Sequence, residues 1–367
     1  MLKLYRLSHF LLAPLLLHSA VTYAAEGVSA SAEHGPTGQR YLAQGDNRLA
    51  AASAALSRCQ NAHQQGPCDI AGIDGKAIAT GTKLRAQVPS QPYPLYLWQF
   101  KHGASTVFLA GSIHLLKPGF FPLPPPYEAA FAQSQRLVLE VDTSKISTAD
   151  MQRKSMQYGM LPAAQSLAGT LPQQAYEGLG KALRDYGTDI QHFQRMKPSL
   201  ATQQLALFAM MSIGFNPELG LENHFRKQAG NRPILQLESF DFQMELLFNA
   251  PLATQVELTT DMLAQLPEFE ALTTNLVSAW LNGDDQAFIA AMAAQRGESQ
   301  AVKDYNRRLI EGRNYTMTDT ITGYLNQSGT YFVLVGAAHL IGKEGIPALL
   351  QSRGYQGERL LSNHQFQ

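Results

Sequence analysis

The sequence predicts an α/β protein: a central mixed, largely parallel sheet with helices on both faces and a large helical insertion. Three observations predict it. Two apolar runs, 106–111 and 331–336, have the length and the β-branched and aromatic content of strands buried on both faces. The strand-like runs further along are separated by long stretches of helical periodicity, as crossover connections require. Both apolar runs end in the same word, Gly-x-x-His, as Gly111-Ser112-Ile113-His114 and Gly336-Ala337-Ala338-His339. A glycine where a strand ends allows a sharp turn, and the histidine then stands at the carboxyl edge, where ligands bind in open α/β sheets.

The elements follow in order. Lys3 and Arg6 precede an apolar run at 10–17, and Thr22, Ala24 and Ala25 follow, the layout of a secretory signal peptide over 1–25 cut near Ala24. That run is too short to span a bilayer and no later run of about 20 apolar residues exists, so the reading is an exported protein, periplasmic or secreted, without stable membrane insertion after cleavage. Residues 26–93 are rich in Ala, Gly, Ser and Gln and read as a poorly ordered or weakly helical leader, with a short alanine-rich helix at 49–56 and a linker at 88–94. The two cysteines, Cys59 and Cys68, are expected to pair in an oxidising compartment and pin this leader. The compact domain spans 94–362. It opens with a hairpin, 95–101 and 106–111, followed by a helix at 127–135 and a strand at 136–142. Residues 148–230 are mainly helical, Pro198 opening a long helix through Met211. A strand at 232–238 carries a proline that suits its start or a sheet edge. Residues 240–327 are again helical, and a helix at 346–353 and a strand at 358–361 close the domain.

Lys and Arg number 29 and so do Asp and Glu, so nothing points to nucleic acid or an anionic surface as a partner. Four predicted strands end in groups able to bind metal or move a proton: His114, Glu140, Glu238 and His339. Two imidazoles with one or two carboxylates suit a divalent transition metal. A second carboxylate then serves as general base or orients a histidine. Glu311-Gly312-Arg313-Asn314 adds a guanidinium fork and an amide suited to a developing oxyanion. The plainer reading makes Asn314 a helix cap and pairs Arg313 with a surface acid. Glu222-Asn223-His224 is a weaker signal, and Ser112 lacks a recognisable base and acid of its own. The chain has no Gly-x-Ser-x-Gly elbow, no His-Glu-x-x-His and no Walker loop. Apolar stripes on the helices are compatible with an oligomer and equally with globular packing.

In this order the motifs resemble the TraB/GumN family, which includes the extracellular Tiki metalloproteases of animals. The resemblance covers 94–362 and rests on 108–114, Leu139-Glu140-Val141-Asp142, Leu237-Glu238, Arg313-Asn314, 335–339 and Gly354-Tyr355; the leader lies outside it. It implies an α/β core related to erythromycin-esterase-like and haem-binding ChaN-like proteins. It further implies that His114 and His339 are metal-site histidines, that Glu140 and Glu238 are their acidic partners, and that Arg313 and Asn314 are polar pocket residues. The activity implied is manganese- or cobalt-dependent peptide hydrolysis.

The combined expectation is an exported metal-dependent hydrolase, a peptidase before other kinds, acting on a peptide or protein substrate. His114 and His339 would hold manganese, cobalt or zinc with Glu140 or Glu238. The other glutamate would take a proton from water, and Arg313 or Asn314 would stabilise the oxyanion. The rival expectations are a haem- or metal-binding protein without turnover and an accessory protein with a degenerate site.

Overall fold

A computed structural model describes residues 27–294 and 299–366. The expected signal peptide lies outside the described residues. The stretch expected to be a weakly ordered leader is instead a folded layer. Strands β1 (Val28–His34), β2 (Arg40–Gly45), β3 (Cys68–Ile73) and β4 (Lys76–Ala77) form an antiparallel sheet in the order β2-β1-β3-β4. The helix Arg48–Ala62 is capped by the Asn47 side chain, which accepts from the Ala50 amide at 2.9 Å, and it buries Ala51, Ala52, Ala55 and Cys59. The disulfide Cys59–Cys68 joins this helix to β3.

The layer is tied to the rest of the chain by hydrogen bonds from two buried charged side chains to backbone groups. Asp69 on β3 accepts from the amides of Gly81 (2.7 Å) and Gly119 (3.3 Å). Lys117, fully buried, donates to the Ala79 carbonyl at 2.7 Å and lies over the Phe215 ring.

The main sheet has six strands: β5 (Pro94–His102), β6 (Ser105–Ser112), β7 (Arg136–Leu139), β8 (Ile234–Gln236), β9 (Gly329–Gly336) and β10 (Gly357–Leu361). Their order is β10-β5-β6-β9-β7-β8. β10, β5 and β6 pair antiparallel, while β6, β9, β7 and β8 pair parallel. The two apolar runs therefore lie side by side at the centre, and Val107–Ala110 and Phe332–Val335 are excluded from solvent, as strands covered on both faces must be. β8, preceded by Pro233, is an edge strand, where a missing amide costs no ladder bond.

The segments between β7 and β8 and between β8 and β9 are the helical insertions. Their helices include Thr148–Gly159, Gln173–Asp185, Pro198–Ser212, Phe240–Phe248 and Leu252–Gln265, which share a second apolar core around Leu179, Leu183, Leu205, Met244 and Phe248. Parallel pairing aligns the carboxyl ends of four strands, and this helical body rises beside that edge.

Candidate functional site

The carboxyl ends of β6, β7 and β9 supply His114, Glu140 and His339, and the residue two beyond β8 is Glu238. His114, Glu140 and His339 line one cavity of about 650 Å³, whose floor is these strand ends and whose walls are helices of the insertions, while Glu238 is buried behind Arg313 and does not reach it. That volume lies within the ordinary range for small-molecule sites.

Arg313, in the first turn of the helix Glu311–Leu325, organises one half of the floor. Its Nε donates to Glu238 Oε1 at 2.9 Å and Nη2 to Glu238 Oε2 at 2.6 Å, a bidentate fork, while Nη2 also donates to Glu140 Oε2. Gln243 spans the same two carboxylates at 3.1 Å each, and the Gly336 amide donates to Glu140 Oε1 at 2.7 Å. Burial alone would push the Glu140 carboxyl up, but Arg313, the two histidines and the Gly336 amide outweigh it and hold it well below the usual carboxylate range.

Asn314 is not a cap. It is buried, its amide nitrogen donates to the Glu344 carbonyl at 2.6 Å, and its Oδ1 lies 2.6 Å from His339 Nδ1. With the amide oriented by Glu344, Oδ1 can only accept, which assigns the proton of a neutral His339 ring to Nδ1. Nε2 is then the acceptor, 3.2 Å from Arg313 Nη1 and 3.8 Å from Glu140 Oε1. Burial lowers the His339 pKa, Glu140 opposes and Arg313 reinforces, and the balance is about 4.

His114 differs. Its Nδ1 lies 2.8 Å from Glu222 Oε1, an oxygen that also accepts from the Ser112 hydroxyl. The Glu222 carboxylate outweighs the cost of burial among protein groups and raises His114 to about 9. The ring nevertheless stands in the open cavity, with 55% of its side chain exposed.

Glu222 was legible only as part of a weak cluster, yet the structure brings it to His114 while its neighbour His224 turns away to Glu128, 2.6 Å distant. The signal lay two residues earlier. A Cβ on Gly220 would stand 2.1 Å from the His114 carbonyl oxygen, so only glycine lets the helix Leu221–Gln228 start against that turn. Leu221 then donates its amide to the Ile113 carbonyl at 3.3 Å.

The three strand-end groups meet above Gly336. A Cβ built there would lie 3.4 Å from Glu140 Oε1, 3.6 Å from His339 Cδ2 and 3.8 Å from His114 Nε2. Both imidazoles are thus fixed through Nδ1. His114 turns Nε2 toward this point and His339 its Cδ2 edge, with Nε2 the next atom of the ring, an arrangement that suits handling a proton or polar atom beside it. As a ligand shell the full expected set is not free in this arrangement. Both oxygens of Glu238 and one of Glu140 are held by the guanidinium, whose positive charge a second cation would have to displace. Among the described residues, no group of three or more His, Cys, Asp or Glu side chains is arranged to hold a metal ion.

Fold and site define an α/β protein with a strand-edge pocket lined by two histidines, two glutamates and two arginines. The TraB/PrgY/gumN family model matches residues 96–359, and the chain belongs to that family. It is similar to the uncharacterised protein YbaP of Escherichia coli strain K12, with 26% identity over 253 residues, covering 66% of this chain and 87% of YbaP. YbaP of Shigella flexneri matches to the same extent. An uncharacterised protein of Treponema pallidum strain Nichols is 21% identical over 266 residues, covering 70% of this chain and 80% of that protein. No solved structure matches the chain significantly.

Proposed function

We propose that the protein is an exported hydrolase that adds water to an acyl carbon held above Gly336. The observation that carries the reading is the convergence of His114 Nε2, Glu140 Oε1 and the His339 ring on that point, at the floor of a cavity large enough for a substrate. His339, kept neutral with Nε2 as acceptor, takes the proton from water. Its contact with Arg313 Nη1, at 3.2 Å, is the longest of the guanidinium's hydrogen bonds and yields most readily to a water molecule. Glu140 faces the imidazolium that forms, and Asn314 holds the ring in the useful tautomer. His114, charged at neutral pH, stabilises the developing oxyanion and protonates the leaving atom. Two like groups with pKa values pushed apart suit an acid and a base. The Cys59–Cys68 disulfide supports assignment to an oxidising compartment.

A second reading is metal-dependent peptide hydrolysis. It is favoured by one observation: both candidate histidines are anchored through Nδ1, by Asn314 and Glu222, as metal-site histidines are anchored by outer partners. The test is turnover of acyl ester, acyl amide and peptide panels with chelator and after manganese, cobalt or zinc reloading. The proposal expects turnover in chelator that His114→Gln or His339→Gln lowers at least a hundredfold. Turnover that appears only on reloading moves the assignment to the second reading. No turnover in any panel under either condition overturns both.

A further inference from the structure

The cavity has two unlike sides. The floor is the polar constellation already described. The opposite side is helical and aliphatic: Leu207 and Met210 from Pro198–Ser212, Leu247 from Phe240–Phe248, Leu276 from Phe269–Asn282, Met292 from Asp285–Ala294, and Ile310. Each of these six is half-buried rather than sealed in the core, because it faces the open volume. Among the described residues of these wall helices, Gln203 and Gln243 are the polar side chains that reach the cavity, and Gln243 is held at the floor by Glu140 and Glu238.

That asymmetry discriminates between substrates. A peptide laid along the wall would bring an amide N–H and a carbonyl with every residue. Each such group left without a partner costs roughly five- to a hundredfold in affinity. A polymethylene chain brings no polar group, and leucine and methionine side chains adapt to its shape. At the floor end, two polar atoms of cavity-lining residues are buried without a hydrogen-bond partner: Arg226 Nε and Thr143 Oγ1. Arg226 sits among Asp142, Glu222 and Glu218, so its charge is already balanced. The side chains of Arg226 and Thr143 at the cavity lining suit a neutral, oxygen-bearing group rather than an anion.

We infer that the substrate is a neutral long-chain acyl ester or amide, its aliphatic chain against the helical wall, its acyl carbon above Gly336 and the oxygen-bearing head toward Arg226 and Thr143. The inference deepens the hydrolase reading and rests on it for the position of the acyl carbon. In the reaction the acyl carbon–heteroatom bond breaks, water's oxygen bonds to that carbon, and the leaving oxygen or nitrogen takes a proton, giving a fatty acid and an alcohol or amine. No oxidant or further reactant is needed.

Binding and turnover are measured separately on the intact protein. Calorimetry with 1-alkanols of increasing chain length reads binding without chemistry, and p-nitrophenyl esters of the same lengths read turnover. Affinity and kcat/KM should each rise about fourfold per methylene until the wall is filled. The double variant Met210→Gln/Leu247→Gln, checked for folding by circular dichroism, should flatten both slopes. Alkanols that bind with the slope while no ester is turned over would defeat the hydrolase reading and uphold the aliphatic site. Turnover of esters or peptides with no dependence on chain length would uphold the hydrolase reading and overturn this inference. A slope unchanged in the folded double variant would place the chains elsewhere and overturn it as well.

Discussion

The same four-residue word is read in two environments in this molecule, and it yields two opposite imidazoles. His339 follows β9 in the short turn Ala337–Leu340 and is almost fully buried beneath Arg313. His114 follows β6, stands half-open in the cavity, and is paired with a carboxylate. The strands are parallel neighbours, but the register sets Ser112 opposite Gly336, so the two words are out of step by one residue. The same glycine-to-histidine spacing therefore delivers the rings to different depths. Desolvation and a guanidinium then hold one neutral; a half-buried glutamate holds the other charged. What a motif does is settled by what packs on it.

The two halves of the floor should break very differently. Arg313→Ala carries the largest expected effect. It leaves Glu140 and Glu238 buried side by side without their common counter-charge, which should cost about 3–5 kcal/mol of stability. Denaturant midpoints would register it, and a loss under about 1 kcal/mol would mean that the cluster is far more hydrated than its burial indicates. On the open side the loss should fall on activity instead. His114→Gln should lower turnover about 10²–10⁴-fold and lower the unfolding midpoint by much less than Arg313→Ala, because the half-exposed ring's pairing with Glu222 is screened by solvent. A midpoint that falls as far as in Arg313→Ala would erase the distinction between the halves.

Gly336→Ala is a finer probe. The added methyl would make only ordinary van der Waals contacts, at 3.4 to 3.8 Å, with Glu140, His339 and His114. Stability should change by about 0.5 kcal/mol or less, while turnover should collapse because the methyl occupies the point where the reacting atom sits. Full activity in that variant would move the reacting atom elsewhere in the cavity.

The smallest effect is a titration. His114 pairing with Glu222 raises its folded pKa from 6.5 to about 9. Its contribution to stability is therefore fully present below pH 6.5 and fades as pH rises through 9. Glu222→Gln should return the His114 midpoint toward 6.5, read from its ring proton shifts, and remove that pH dependence. A midpoint left near 9 would assign the shift to Glu140 rather than Glu222.

The hairpin, the central strands and the edge position of the proline-bearing strand were legible because long apolar runs, a turn and a proline each act locally. The amino-terminal layer was not. In β1, Val28-Ser29-Ala30-Ser31-Ala32 alternates correctly, and Ala30 and Ala32 are buried. Alanine and serine differ too little in hydropathy to announce a strand, and the helix that covers them is itself alanine-rich. The site divided along the same line. His114, Glu140, Glu238 and His339 could be grouped because strand ends converge in a parallel sheet. Asn314 was placed at the site, but its role could not be told from a helix cap, because a helix start is where asparagine usually serves; its burial against His339 and Glu344 is a tertiary fact. Glu222 is joined to His114 across more than a hundred residues, and only the close approach at Gly220 marks it.

The most direct test of one word held in two states is an NMR titration of the two rings, assigned with His114→Gln and His339→Gln. Midpoints near 9 for His114 and near 4 for His339 are predicted. Two rings titrating together near 6.5 would contradict the account, because neither environment would then be setting the charge of its histidine.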